Sequence, residues 1–347
     1  MIERFYRKIF IAIVHDGGAH DIRVVAKKQK KLLYKESRHF EGESSLKDTF
    51  LFLRKYFEES PLHYVALLNP QHKQGALPGC SHHSVEDLED ISGAKTLCRN
   101  EKWLLYSSLR ELDALQEEYK KIGLDFIFSP FSILEHFFAD KIQGGFALYA
   151  LALKDSFSVA VFENGKLEYA HYYPTHEKNA ISLEDETNTN ANEFSVGIRE
   201  VDESERSISL DDIESLDDLD ILDELDNLSN IEDLDSLDEI AEFTEDEETF
   251  EEKRKESSHG DEIKQQMDRF NNDYYRFELI QRTLIRFYGG THCNDRFVET
   301  VYIADGYGSG TELKRYLEEE LFLNVLIRHI DVADEVIALS MLEEEAL

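Results

Sequence analysis

The chain has 347 residues, enough for one large domain or two or three small ones, and its formal net charge at pH 7 is −35. This balance argues against nucleic acid and anionic membrane surfaces as direct ligands, because both are bound through clustered lysine and arginine. The three cysteines provide no disulfide framework. No signal peptide or membrane-length apolar stretch occurs, so we expect a cytoplasmic protein.

The first hundred residues predict a strand-rich start. KIFIAIVH (8–15) and DIRVVAKK (21–28) are typical of paired strands, and the turn between them contains Gly17 and Gly18, which tolerate positive φ. The remaining predictions up to residue 98 are a third strand, LLYKES, a helix over 44–60, a strand over 63–69 and a loop-rich stretch over 70–98.

From residue 102 the pattern of strands and helices becomes clearer. Ser108 and Glu111 match a capping box, which predicts a helix that ends at Gly123. Asn164-Gly165 is a strong hairpin turn. The other predicted elements are strands over 102–106 and 124–128, a helix over 131–141, and strands ALYALAL, SFSVAVF and KLEYAHYY.

An acidic segment over 181–261 then interrupts the chain. The elements predicted after it are a helix over 261–288, a strand over 298–304, a glycine-rich loop over 305–310, helix ELKRYLEEEL, strand NVLIRHI and helix DEVIALSMLEEEA. Strands in threes followed by helix–strand alternation predict an α/β fold with mixed sheets.

The acidic segment carries a strict three-residue repeat. Leucine or isoleucine recurs at every third position from Leu210 to Ile240, and residues 181–250 hold 27 acidic and 2 basic residues. On an α-helix each such step falls about 60° behind the last, so no single face stays apolar. Short helical turns remain possible. The segment is otherwise either a solvated linker or a tethered segment that folds on a partner. As a partner-binding segment it would use Leu216, Leu219, Leu222, Leu225, Leu228, Ile231, Leu234 and Leu237.

Three turns could approach a phosphate group. The first follows a buried strand at Asp16-Gly17-Gly18, the second is Lys154-Asp155-Ser156 between two predicted strands, and the third is the loop over 305–310 before a helix. Glycine lets backbone approach a ligand, and a helix start offers free N–H groups to an anion. Each turn can also be explained as a tight turn without a ligand.

A zinc site is the weaker hypothesis for the cysteines and histidines. Cys80, His82, His83 and Cys98 lie in one region, but Cys-x-His-His is not a usual zinc spacing. We expect surface histidines and half-buried thiols there, and a zinc-dependent interaction module stays an alternative.

Two long stretches resemble one known family. They are KWLLYSSLRELDALQEEYKKIGLDFIFSPFSILEHFF with ALYALALKDSFSVAVFENGKLEYAHYY, and VETVYIADGYGSGTELKRYLEEELFLNVLIRHIDVADEVIALSM. Together they resemble the PilM-like proteins of type IV pilus machines and the cytoplasmic domain of GspL in type II secretion. The resemblance covers most of residues 1–180 and 262–347.

The resemblance implies an actin-like ATPase (ribonuclease H-like) fold, with two lobes around a nucleotide cleft. It implies a first lobe over 1–145 with an inserted subdomain at about 70–128, and a second lobe over 146–180 and 262–347. The acidic insert over 181–261 lies outside the resemblance.

The resemblance also places the nucleotide loops, and their residues depart from the family pattern. The family's first Asp falls on Val14, with Asp16 where a glycine belongs, and its second loop falls on 151–153, where Asp155 substitutes only across a gap. Because apolar side chains cannot hold Mg²⁺, we expect weak or absent ATPase activity. The implied nucleotide-binding candidates are Asp16, Gly17, Gly18, Asp155, Ser156, Asp305, Gly306, Gly308 and Gly310.

The resemblance therefore implies a scaffold without a cofactor, peripheral to the inner membrane through its partners. Those partners would be a PilN-like or GspM-like assembly protein, whose cytoplasmic tail docks between subdomains, and an assembly ATPase. The machine would build a type IV pilus, or serve type II secretion or DNA uptake, and the scaffold could form a homodimer. The alternative is an active switch or sugar-kinase-like enzyme that binds Mg-ATP on the same fold.

Overall fold

Two five-stranded sheets with the same strand order form the framework of the protein. The computed structural model describes residues 6–29, 31–42, 45–81, 93–175, 258–289, 296–308 and 311–346. Its strands are β1 (Lys8–Asp16), β2 (Ala19–Lys28), β3 (Lys31–Glu41), β4 (His63–Leu68), β5 (Gln74–Pro78), β6 (Ala94–Arg99), β7 (Trp103–Ser108), β8 (Phe126–Phe128), β9 (Phe146–Ala152), β10 (Ser156–Glu163), β11 (Lys166–Pro174), β12 (Thr300–Asp305) and β13 (Asn324–His329). Its helices are α1 (Ser45–Glu59), α2 (Leu109–Glu118), α3 (Pro130–Phe137), α4 (Ala139–Ile142), α5 (Ser258–Gly289), α6 (Thr311–Glu320) and α7 (Val332–Ala346).

Each five-stranded sheet combines an antiparallel meander with two parallel strands. The order is β3-β2-β1-β4-β8 in the first sheet and β11-β10-β9-β12-β13 in the second. In both, the first three strands pair antiparallel, and the last two run parallel to the central strand. This repeat confirms the predicted α/β fold with mixed sheets.

The strands alternate between separate cores, as a period of two requires. On β1, the isoleucines Ile9, Ile11 and Ile13 pack with α1 and α2 on the outer face of the first sheet. The intervening residues of β1 belong to a core between the two sheets, together with α3, α7 and the inner face of β9. The outer face of the second sheet packs with α5 and α6.

The helix α7 packs against the first sheet although the chain reaches it last. It contacts β1, β2 and β4, and ion pairs join Lys8 to Glu344 and Arg23 to Asp331. The predicted lobe boundaries stay a prediction, but this packing places residues 332–346 against the first sheet.

A third, smaller sheet occupies part of the stretch that we expected to be loop-rich. The antiparallel strands β5, β7 and β6 form it in the order β5-β7-β6. The prediction of loop over 70–98 was therefore wrong for β5 and β6. Their sequences, QGALP and AKTLCR, contain glycine, proline and lysine, which weaken the period-two signal of a strand.

The cysteine prediction was also wrong for two of the three thiols. Cys80 and Cys98 form a disulfide, with their Cα atoms 5.5 Å apart. The antiparallel pairing of the small sheet brings these residues together, although 18 positions separate them in sequence. Spacing alone could not show this proximity.

Two local predictions need smaller corrections. Ser108 precedes α2, but its side chain makes no capping hydrogen bond, and Glu111 instead accepts from the backbone N–H of Lys73 at 3.0 Å. The helix predicted over 131–141 breaks at Phe138 into α3 and α4. Among the residues described, no helix combines the length and the apolarity that a membrane crossing requires.

Candidate functional site

Two β-hairpin turns meet between the sheets. The β1–β2 turn contains Gly17 and Gly18, with φ of 66° and 73°, a region that favours glycine. The β9–β10 turn contains Lys154 and Asp155. These are the first two of the three turns that the sequence identified as possible phosphate loops.

The two turns bind each other through their carboxylates and backbone N–H groups. The Asp16 carboxylate accepts hydrogen bonds from the backbone N–H groups of Lys154, at 2.9 Å, and Asp155, at 2.8 Å. In return, the backbone N–H of Gly17 donates to the Asp155 carboxylate. We call these four residues the hairpin clasp. Within the clasp, backbone N–H groups that could donate hydrogen bonds to a phosphate donate instead to carboxylates of the protein itself.

The side chain of Lys154 closes the clasp further. The end of the Lys154 side chain lies over Gly17 and could move aside for a methyl group, so glycine is favoured at this turn by its φ. The carbonyl of Lys154 accepts from the Thr175 hydroxyl at 2.7 Å, and Thr175 N–H donates to the Asp155 carbonyl at 2.8 Å. The end of β11 therefore fixes the second turn in place.

The clasp shifts the titration of Asp16. Burial raises the pKa of the Asp16 carboxyl above its ordinary value, the two backbone hydrogen bonds act in the opposite direction, and the neighbouring Asp155 raises the pKa again. The raised pKa means that the Asp16 carboxyl holds its proton more strongly in the folded protein than in the unfolded chain.

The third turn packs onto the second. Gly306 donates its N–H to the carbonyl of Ala152 at 3.0 Å, and a Cβ at Gly306 would lie 3.1 Å from Leu153 and 3.2 Å from Val332. Asp305 is buried, and its carboxylate accepts from the N–H of Tyr307 at 3.2 Å and of Gly308 at 2.9 Å. This turn is therefore tightly packed, with its carboxylate engaged in its own backbone.

A buried arginine lies beside these turns. Arg276 on α5 is 2% exposed and donates to the Leu153 carbonyl at 2.8 Å. Its guanidinium carbon is 5.0 Å from the centre of the Tyr307 ring, and it faces Asp273 at 4.0 Å. Burial lowers the pKa of Arg276, while Asp273 and Asp305 raise it.

Sequence reasoning missed both Asp273 and Arg276. Asp273 accepts from the N–H of Leu313 at the start of α6, at 3.3 Å. The available signal was their helical spacing: Asp273 and Arg276 fall in phase with Phe277 and Ile280, which are buried. Charged residues in phase with an apolar stripe indicate a buried ion pair.

The structure thus brings together residues from all three predicted loops. A cavity of about 460 Å³ between the sheets is lined by Asp16, Leu153 and Gly306, among others. Ser156 is buried at the start of β10, Gly18 is exposed, and Gly308 has φ of 86°. Gly310 and the Leu/Ile repeat, Leu216 to Leu237, lie outside the described residues.

A second cavity, which we call the lateral groove, lies between the first sheet and the small sheet. Its volume is about 420 Å³, and its walls include β6, β7, the start of α2 and β8. β8 is the last strand of the first sheet and β6 the last of the small sheet, so among the described strands each has one unpaired edge. Leu97 and Leu109 on the lining are 59% and 46% exposed.

No cluster of three metal-ligating side chains occurs among the described residues. Cys80 and Cys98, two members of the zinc hypothesis, are bonded to each other, while His82 and His83 lie outside the described ranges.

Three solved structures are similar to this chain over at least 92% of its length. A protein of Bacteroides thetaiotaomicron with an actin-like ATPase fold and unknown function matches 97% of this chain and 96% of its own length, at 11% identity and a TM-score of 0.43. The PilM-PilN type IV pilus biogenesis complex matches 92% of this chain and 87% of that chain, at 11% identity and a TM-score of 0.46. The ethanolamine utilization protein EutJ from Carboxydothermus hydrogenoformans matches 92% and 84%, at 11% identity and a TM-score of 0.37.

At these sequence identities and TM-scores, the similarity to solved structures carries no information about activity. The repeated strand order of the two sheets is that of the predicted actin-like ATPase fold. No curated protein matches the sequence.

Two family models match the sequence directly. One, described as domain of unknown function (DUF8569), matches residues 5–135. The other, described as domain of unknown function (DUF8341), matches residues 148–345, more than half of the chain. The chain belongs to the family described as domain of unknown function (DUF8341).

Proposed function

We propose that this protein is a non-hydrolysing scaffold of a type IV pilus, type II secretion or DNA-uptake machine, in whose nucleotide cleft the phosphate-facing turns are bound to each other. The hairpin clasp is the observation that carries the proposal. An ATPase site needs backbone N–H groups that face phosphate oxygens and carboxylates that hold Mg²⁺. Here the Asp16 carboxylate and the amides of the opposite turn are bound to each other.

The residues around the clasp support the same reading. Val14 and Leu151 occupy the positions at which the PilM-like family has the aspartates of its two phosphate loops. Both are buried among apolar side chains. Arg276 adds a buried positive charge bound to the Leu153 carbonyl. A nucleotide would have to displace these contacts before it could bind.

The lateral groove is the proposed binding site for the partner. Exposed leucines in a cavity of about 420 Å³ are typical of a site for an apolar segment. The free edges of β6 and β8 could each pair with an extended peptide through backbone hydrogen bonds. We propose that the groove binds the cytoplasmic tail of a PilN-like or GspM-like inner-membrane protein, which would hold the scaffold at the membrane.

Titration calorimetry with Mg-ATP tests the occupied cleft. We expect no heat of binding from the full chain, because the backbone amides and carboxylates of the clasp are bound to each other. A dissociation constant in the micromolar range would overturn the proposal and favour the active nucleotide switch. The chain without the segment over 205–250 should give the same result.

A peptide titration tests the groove separately. The probe is a synthetic peptide with the sequence of the cytoplasmic tail of a PilN-like or GspM-like protein from the same organism. We expect binding that Leu97→Asp weakens at least about tenfold, because it places a charge in an apolar wall. Leu51→Asp, on α1 and 56% exposed, is the matched control. Equal losses in both variants, or no binding by the wild type, would contradict the groove as the docking site.

A further inference from the structure

The β2–β3 hairpin ends in a cluster of positive charge. Lys27, Lys28, Lys30 and Lys31 lie within five positions of the sequence. In the sheet, Lys28 pairs directly across from Lys31, and Lys27 across from Leu32. Like charges directly opposite each other destabilise a hairpin. Within the part of the chain that the structure describes, neither Lys28 nor Lys31 has a carboxylate partner.

Apolar side chains lie next to this charge. Leu32 is 52% exposed and Leu33 is 43% exposed. Because successive residues of a strand point to opposite faces, the hairpin presents a leucine on both sides. Tyr6 is 45% exposed and precedes Lys8, which pairs across from Lys27. We call Lys27, Lys28, Lys31, Leu32 and Leu33 the lysine hairpin.

Nearby acids do not neutralise the lysine hairpin. Glu59 is paired with Arg7 at 2.5 Å, and Glu344 is paired with Lys8. Lys27 contacts the sulfur of Met341 at 2.7 Å rather than a carboxylate. The end of the first sheet therefore carries a local positive charge, in a chain whose acidic residues are concentrated over 181–250.

We propose that the lysine hairpin binds the surface of an anionic bilayer. Lysines attract anionic headgroups, and leucines at the same tip can enter the boundary between headgroups and acyl chains. Leu32 and Leu33 favour a bilayer over single-stranded nucleic acid, because bases are held by aromatic stacking. The formal net charge of −35 does not by itself decide this, because at physiological salt the attraction depends on the charges within about 8 Å of the headgroups.

The hairpin also lies close to the element that borders the lateral groove. On the last turns of α7, Glu344 pairs with Lys8 beside the hairpin strands, while Glu343 pairs with Arg99 of the groove at 3.3 Å. A bilayer at the lysine hairpin would thus be near the site proposed for the tail of a membrane protein. The lipid inference stands without that partner.

Co-sedimentation of the full chain with vesicles tests the proposal. We expect binding to phosphatidylcholine vesicles that contain phosphatidylglycerol, weak binding to phosphatidylcholine alone, and loss of binding as salt rises. Lys31→Glu should weaken binding at least about fivefold. The same change creates an attractive pair with Lys28, so the urea midpoint should stay level or rise. This pair of readouts separates a lost ligand from a damaged fold.

Two further variants complete the test. Leu32→Ser/Leu33→Ser should reduce binding to the anionic vesicles. Lys28→Glu/Lys31→Glu should also reduce it. The control Lys120→Glu/Lys121→Glu makes the same change of charge at exposed positions after α2 and should leave binding at the wild-type level. The proposal is overturned by a wild type that ignores anionic vesicles, by equal losses in the two lysine pairs, by full binding of the serine variant, or by a wild type that binds single-stranded RNA instead.

Discussion

Asp16 and Asp155 lie on opposite hairpins, and each accepts a hydrogen bond from the backbone of the other's turn. The arrangement fixes the first sheet to the second without a ligand. In a cleft that works by opening and closing, the same groups would be free to meet phosphate and metal. The hairpin clasp therefore explains both the cohesion of the two sheets and the expected absence of catalysis.

Removal of the acceptor should loosen the clasp. We expect Asp16→Ala to lower the free energy of unfolding by about 1–2 kcal/mol, because two N–H groups lose their partner. Urea unfolding measures the loss, and hydrogen exchange should quicken at the amides of Lys154 and Asp155. Asp113→Ala removes the same charge from an exposed position on α2 and is the control. A loss no larger than that of the control would show that the clasp adds no stability.

Arg276 should be costly to remove. Arg276→Met leaves Asp273 and Asp305 without their buried cation, and we expect a loss of about 3–5 kcal/mol in the free energy of unfolding. Urea unfolding at neutral pH measures the loss.

Arg276→Lys is the milder variant if Arg276→Met does not fold. It keeps the charge but shortens the reach to the Leu153 carbonyl, so an intermediate loss is expected. Arg315→Met, at a half-exposed arginine on α6, should cost little. A stable Arg276→Met protein would contradict a buried ion cluster at this position.

Stability should depend on pH through the contact between α3 and α7. His136 and Glu335 lie 2.5 Å apart, and this hydrogen bond raises the pKa of His136. A raised histidine pKa gives stability that is fully present below the unfolded value of about 6.5 and lost as the pH rises through the folded value. The wild type should therefore lose up to about 1 kcal/mol between pH 6 and 8 through this pair.

Glu335→Gln should flatten that dependence, and so should His136→Gln. The double variant should lose no more than either single variant, because both remove the same interaction. Urea midpoints across the pH range measure this. An unchanged slope in both single variants would show that His136 titrates as it does in the unfolded chain.

The disulfide should contribute to the stability of the small sheet. We expect Cys80→Ser/Cys98→Ser to lower the free energy of unfolding by up to about 3 kcal/mol, because the bond closes a loop of 18 residues. Cys293→Ser is the control. Alkylation of the unreduced, denatured wild type should find one free thiol; three free thiols would contradict the disulfide.

The sequence predicts most of the strands because their patterns are local. The continuous apolar run in KIFIAIVH and the turn at Asn164-Gly165, which has φ of 48° and 79° in the structure, depend only on near neighbours. β5 and β6 lack such a pattern. They form because β7, which carries the fully buried Trp103, lies between them.

The sequence predicts which residues belong to the site, but not how they are arranged in space. Asp16, Asp155 and Gly306 stand out because turns after strands favour Asp and Gly. That Asp16 accepts from the opposite hairpin depends on how two sheets pack, which no local pattern contains. Arg276 was missed because arginine on a helix is usually solvent-exposed, and only its contacts with Leu153 and Tyr307 reveal its role.

The packing of α7 on the first sheet has a consequence for how the protein is made. The strands β1 to β4 emerge early from the ribosome, yet Phe10, Ala12 and Val14 are covered only when residues 332–346 follow. Until then an apolar sheet face is open to chaperones or to aggregation. Translation must therefore finish before the inner face of the earliest strands is fully covered, and a nascent chain stalled within the acidic segment would be a natural target for quality control.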